Sequence, residues 1–322
     1  MSVARLRPCA RLAREATKRV PAPAGDSPAL HKAVSRARTR EARAPRCAAN
    51  YAGPEVRVLV GDNRQVLPTL LANSVQCCVT SPPYWGLRDY GHTAQIGAES
   101  SPELYTQNLV DVFREVRRVL REDGTLWLNV GDGYARNGGT GHHGPNAKVG
   151  NTRRMIQKRN CRVPECWGLK ERDLMGLPYR VAFALQEDGW ILRSKITWVK
   201  RCAMPESVTN RPTNATEDLF LFVKSPRYYY DQYGFREHAG ANLRNCWVLG
   251  PDQRGKGHPA AFPRELARRC ILLGTKRGDV VLDPFGGSGT TGVVTMEIGR
   301  AAILIEVNPD YTRIFEERTR NA

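Results

Sequence analysis

Beyond residue 50, short β-branched apolar runs alternate with stretches whose apolar positions recur at helical spacing. The runs at 56–60, 75–80, 125–130, 191–199, 219–223, 280–283 and 301–307 predict strands. Most are apolar almost throughout, as strands covered on both faces of a parallel sheet must be. Between them, Leu109, Val112, Phe113, Val116, Val119 and Leu120 fall at i, i+3, i+4 and i+7 spacing and predict one buried helix face. A second helix is predicted from near Pro263, with Leu266, Cys270 and Leu273 on its stripe, and a last one from Pro309. Strand and helix in alternation imply an α/β chain folded as a doubly wound open sheet.

Two stretches break the alternation. Residues 134–168 are rich in Gly, Asn, His, Arg and Lys and lack periodicity, and residues 226–260 hold Tyr228, Tyr229 and Tyr230 followed by scattered Arg and Gly. Long loops inside a compact domain are functional or disordered. Residues 1–50 differ again, with twelve Lys/Arg against three acidic residues and almost no apolar periodicity. They read as a disordered basic arm, and an Arg-rich, acid-poor stretch of this kind also has the look of a transit peptide. The folded domain is therefore expected at 51–322.

Charge narrows the class. A net charge of +17 and a pI near 9.8 point to a polyanionic partner, most often nucleic acid. No apolar run approaches the roughly 20 residues that span a bilayer, so a membrane protein is not expected. Nine cysteines, an odd number with no secretory signal before them, argue against a disulfide framework. Cys161 and Cys166, with His142 and His143 nearby, match none of the common zinc spacings, and no metal is expected.

Candidate chemistry sits at two places. Val280 to Gly292 reads as a strand, a tight glycine turn and a helix start, with Asp283, Pro284, Phe285, Gly286, Gly287, Gly289 and Thr290 along it. Gly287-x-Gly289-x-x-Gly292 fits dinucleotide spacing, a weak signal alone. The glycines let backbone approach a ligand closely. No Lys follows them, which excludes a phosphate-cradling P-loop. Glu306 ends the next strand twenty residues after Gly286, where a carboxylate can take both hydroxyls of a ribose. Asp283, just before the turn, suits a cation such as a methionine ammonium.

The sharper signal is Ser81-Pro82-Pro83-Tyr84 at the end of the 75–80 run, on the carboxyl edge where doubly wound sheets bind ligands. Its two prolines fix φ and leave carbonyls that can face a pocket. Ser81 adds a hydroxyl acceptor and Tyr84 a flat face. Together they suit a planar base with an exocyclic amine. Holding both N–H bonds on acceptors favours a tetrahedral nitrogen able to attack a sulfonium methyl.

Both motifs resemble those of the DNA amino-methyltransferases, which modify cytosine N4 or adenine N6, in the permuted order with the catalytic motif ahead of the cofactor loop. The similarity runs from about Val56 to Phe315. It takes in Gly189-Trp190 through Trp198-Val199-Lys200, Pro205-Glu206-Ser207-Val208 with Arg211-Pro212-Thr213, and His258 to Pro263. It implies a Rossmann-like methyltransferase with a seven-stranded, mostly parallel sheet, circularly permuted, using S-adenosyl-L-methionine. It also implies Asp283, Phe285, Gly287, Gly289 and Glu306 at the cofactor, Pro263 leading the helix beside its methionine part, and 226–260 as the DNA-reading segment. Because the chain ends soon after Glu306, the seventh strand must be 56–60, which puts Asp62 at the adenine end. Ser-Pro-Pro-Tyr is commoner among N4-cytosine enzymes, so cytosine N4 is favoured and adenine N6 is the alternative. The expected partner is double-stranded DNA, met by a monomer or weak dimer in a bacterial or phage-encoded cytoplasmic setting, with a cognate restriction enzyme as a further partner.

Two other classes compete. A nicotinamide-dependent (NAD) oxidoreductase rests on the glycine spacing and has no account of Ser81 to Tyr84. An inert basic nucleic-acid-binding protein rests on charge and accounts for neither motif. RNA or protein as the methyl acceptor is a milder variant.

Overall fold

Along the chain come β1 (Val56–Val60), α1 (Asn63–Val66), β2 (Val75–Thr80), α2 (Pro102–Val119), β3 (Leu120–Val130), α3 (Leu177–Glu187), β4 (Ile191–Lys200), β5 (Thr216–Val223), β6 (Cys246–Leu249), α4 (Arg264–Gly274), β7 (Val280–Asp283), α5 (Thr290–Glu297), β8 (Ala301–Glu306) and α6 (Pro309–Arg320). The computed structural model describes residues 55–87, 90, 92–135, 167–203, 205–235, 243–250 and 262–320. All lie in one unit spanning 44–322. The arm expected at 1–50, residues 136–166 with Cys161, Cys166, His142 and His143, and residues 236–242 and 251–261 lie outside the described residues.

The strands form one sheet in the order β1-β8-β7-β2-β3-β5-β4-β6. Pairing is parallel from β1 to β3, antiparallel on both sides of β5, and parallel again between β4 and β6. Among the described residues the sheet thus has eight strands, not the expected seven. The addition is β6, a four-residue edge strand inside the 226–260 segment read as loop. Only Trp247 and Leu249 of its four side chains are buried, too short an alternation to register as a periodic run. The permutation holds: β1, from the start of the chain, pairs with β8 near its end, and the Gly61 amide donates to the Glu306 carbonyl at 2.9 Å.

β2 and β8 are buried along their whole length because helices cover both sheet faces. On one face α2 and α3 pack Leu109, Phe113, Val116 and Leu185 onto Leu126, Leu128 and Phe222. On the other, α4 packs Leu266, Cys270 and Leu273 beside Trp127 and Trp247, whose rings stack 6.4 Å apart. α6 adds Phe315 against Val293 and Leu304. α2 is capped at its start: Ser101 accepts the Leu104 amide at 3.3 Å and Pro102 occupies the first turn.

β3 begins five residues earlier than expected. Leu120 pairs with Val75, and the exposed Arg121, Glu122 and Asp123 are carried in the strand by that pairing rather than by apolar periodicity. Neighbouring β2 and β7 mark the switch point of the sheet: the helices after them, α2 and α5, leave for opposite faces, and a crevice opens at the carboxyl ends of the strands.

Candidate active site

Thr80, the last residue of β2, donates through Oγ1 to Asp283 Oδ1 at 2.6 Å, and Asp283 is the last residue of β7. This bond ties the start of the Ser-Pro-Pro-Tyr loop to the start of the glycine loop. Both loops, with Asp62, Glu306, Phe262 and Pro263, line a cavity of about 510 Å³. The two motifs, two hundred residues apart in sequence, therefore share one chamber.

On the glycine side, Gly287 and Gly289 have φ of +51° and +76°, values L side chains rarely adopt. Gly289 has a second constraint, since a Cβ there would lie 2.2 Å from Phe315 Cδ2. The turn is pinned by the Gly286 amide donating to the Ile305 carbonyl at 2.8 Å. Arg318 of α6 reaches the Ser288 carbonyl at 2.9 Å and the Thr290 hydroxyl at 3.3 Å.

The carboxylates at the strand ends differ in how far they are used. Asp283, 2 % exposed, accepts from Thr80, from Thr291 Oγ1 at 2.7 Å and from the Phe285 amide at 3.1 Å. Burial raises its carboxyl above the ordinary value, only partly offset by those bonds. A carboxylate takes about four donors, so one position is left for a cation. Glu306 accepts the Gly287 amide at 2.7 Å and the Asn308 amide at 2.9 Å, and burial raises it as well. The Val307 amide also acts on it, and the acceptor capacity that remains faces the cavity, where a ribose hydroxyl can use it. Asp62 caps α1 and is paired with Arg64 at 2.7 Å. Burial pushes it up, but the Arg64 bonds outweigh that and hold it below the usual range. Its neighbour Asn63, which sequence reasoning missed, is buried and donates to the Pro284 carbonyl at 3.0 Å. Three carboxylates, a glycine turn and an apolar wall at Phe262, Pro263, Phe285 and Ile305 fit a sulfonium nucleoside with a ribose and an ammonium.

On the opposite wall, Ser81 Oγ–H donates to Tyr84 Oη at 3.3 Å. Tyr84 Oη–H donates to Glu217 Oε2 at 2.7 Å, with Asn129 Oδ1 at 3.2 Å as the longer neighbour. Glu217 Oε1 in turn is paired with Lys200 Nζ at 2.6 Å. Burial, and then the Glu217 charge, push the Tyr84 phenol well above its ordinary value, so it stays neutral. One expectation is corrected here: the Pro83 carbonyl does not face the pocket free, because Tyr105 Oη–H donates to it at 3.0 Å. Among the described residues no donor reaches the Pro82 carbonyl. Lys200, Glu217 and Asn129 were also missed, since no local pattern marks residues that meet Tyr84 across 45 and 133 positions.

A switch-point crevice with buried carboxylates beside a glycine turn on one wall and the Ser-Pro-Pro-Tyr loop on the other is the arrangement of a Rossmann-like methyltransferase. The DNA methylase family model, covering N6 and N4 enzymes, matches residues 75–317, and the chain belongs to that family. It is 51 % identical to the type II methyltransferase M.Cfr9I of Citrobacter freundii over 80 % of this chain and 85 % of that protein. It is 46 % identical to M.SmaI of Serratia marcescens over 81 % and 90 %. Among solved structures it matches the PvuII DNA methyltransferase (cytosine-N4-specific), with a TM-score of 0.63 at 20 % identity over 82 % of this chain and 86 % of that one. It also matches a DNA modification methylase of Thermus thermophilus, complexed with S-adenosyl-L-methionine, with a TM-score of 0.56 at 26 % identity over 82 % and 93 %.

Proposed function

We propose that this DNA methylase transfers the methyl group of S-adenosylmethionine to N4 of a cytosine flipped out of double-stranded DNA. The observation that carries the reading is the Thr80–Asp283 bond, which sets an amine-accepting wall and a nucleoside-accepting wall in one cavity. S-adenosylmethionine supplies an activated methyl on a sulfonium. Glu306 holds ribose hydroxyls, Asp283 faces the ammonium, and the glycine turn lets backbone lie against the ligand. Pro263 and Phe285 wall the methionine part. Asp62 stands at the adenine end, although Arg64 engages its carboxylate.

Ser81 Oγ and the Pro82 carbonyl accept the two amino hydrogens of the base and draw its lone pair out of ring conjugation. Flipping costs a few kcal/mol, recovered in contacts to the extruded base and to phosphates. The basic arm 1–50 and the insertion 134–168 add phosphate contacts, and 226–260 contributes to sequence reading. Cytosine is favoured because a neutral hydroxyl occupies position 81, and because PvuII methyltransferase, named as cytosine-N4-specific, shares the fold. The type II relatives support a place beside a cognate restriction enzyme.

The test is to incubate the chain with methyl-labelled S-adenosylmethionine and double-stranded DNA. Label should enter DNA, and Ser81→Ala should lower the rate on the order of 10²-fold without weakening the cofactor. Tight NAD binding with no S-adenosylmethionine binding would favour the oxidoreductase instead.

A further inference from the structure

Four side chains on the amine wall form a directed chain of hydrogen bonds. Lys200 Nζ holds Glu217 Oε1 at 2.6 Å, Glu217 Oε2 accepts from Tyr84 Oη at 2.7 Å, and Tyr84 Oη accepts from Ser81 Oγ at 3.3 Å. All four line the cavity. A phenol carries one hydrogen. The carboxylate, charged and 0.5 Å nearer than Asn129 Oδ1, is the better acceptor for it. Asn129 is itself oriented, its Nδ2 donating to the Asp218 carbonyl at 3.1 Å, so its Oδ1 faces the phenol and offers it no hydrogen. With its hydrogen spent on Glu217, Tyr84 Oη can only accept, and among the described residues the hydroxyl that supplies it is Ser81.

We propose that Glu217 is a positioning residue that fixes the direction of this chain, so that Ser81 Oγ keeps its hydrogen on Tyr84 and turns its lone pairs to the amino group of the substrate base. This rests on the base-side reading of the cavity given above. A serine hydroxyl is both donor and acceptor, and nothing in the Ser-Pro-Pro-Tyr motif alone decides which it presents. A serine whose hydrogen points at the amine would repel the hydrogens it must accept. Glu217 removes that state without touching the base, and Lys200 holds the carboxylate aimed at the phenol. The role is specific to a motif that begins with serine, because a carboxylate at position 81 would carry no hydrogen to direct.

Reversal of the chain is what Glu217→Gln would allow. Lys200 retains the amide oxygen, the amide N–H faces Tyr84 Oη, and the phenol, its carboxylate acceptor gone, is freed to donate to Ser81 as well as to Asn129 Oδ1. The experiment measures single-turnover methyl transfer into DNA, counted as total label, for the parent, Glu217→Gln, Tyr84→Phe and the double variant. Cofactor affinity is measured on each by calorimetry. Expected is a loss of about 10- to 100-fold for each single variant, unchanged cofactor affinity, and no further loss in the double. Full additivity in the double variant would overturn the proposal, as would Glu217→Gln turning over at the parent rate. Were Glu217→Gln to fail to fold, Tyr84→Phe alone decides: at the parent rate it overturns the relay, and slowed with intact cofactor binding it supports it. Counting label in whole DNA keeps this outcome separate from which base is methylated.

Discussion

Gly131 and Tyr84 fit each other: a Cβ on the glycine would stand 2.3 Å from Tyr84 Cε2 and 2.7 Å from Cδ2. The ring abuts bare backbone just after β3, and its hydroxyl is held on Glu217. It therefore has no room to shift sideways.

Gly131→Ala should displace the ring and break its bonds to Glu217 and Ser81. The expected effect is a fall in methylation on the order of 10²-fold with cofactor affinity unchanged, since no cofactor-side residue moves. Single-turnover kinetics beside calorimetry check this. A loss confined to cofactor binding would contradict the placement of Tyr84 on the base side.

Gly289 carries both a left-handed backbone and a missing Cβ beside Phe315. Gly289→Ala should cost roughly 2–3 kcal/mol of stability, or about 4–12 °C in Tm for a chain of this size. It should also weaken S-adenosylmethionine binding, because the turn and α6 must part to admit the methyl. Scanning calorimetry with and without the cofactor reads both effects. An unchanged Tm would show that the close approach of α6 to the turn is not needed.

Burial raises both Asp283 and Glu306. Each must be ionised to accept from the ligand, so cofactor affinity should be full at neutral pH. It should fall as the pH is lowered, beginning above the ordinary carboxylate range of about 4. In the free protein the sign is opposite: a raised folded value favours the fold on the acid side, and that contribution is lost as the pH rises through it. Calorimetric affinities across the mildly acidic range test the first statement. An affinity flat down to that ordinary range would contradict a role for these two carboxylates.

The parts of the site legible in the sequence were those whose chemistry is local. Ser81 to Tyr84 and Asp283 to Gly289 each announce a turn at a strand end, and β2 and β7 were bounded correctly because their runs are mostly apolar and stop at those turns. Pairing Glu306 with the glycine turn was also legible, through the length of one βαβ unit. Lys200 and Glu217 were hidden because both lie just beyond the apolar runs 191–199 and 219–223, and only the antiparallel pairing of β4 with β5 brings them together. β6 was hidden because the edge of a sheet needs only two inward side chains, Trp247 and Leu249, to hold it. The Pro83 carbonyl was misjudged for a related reason: its donor, Tyr105, comes from the buried face of α2.

The most direct test is to digest the methylated DNA to nucleosides and resolve the products by mass spectrometry. The expected product is N4-methylcytosine, as befits a serine whose hydrogen is turned away toward Tyr84. N6-methyladenine as the sole product would contradict the choice of base, and DNA carrying no methyl group at all would contradict the reaction.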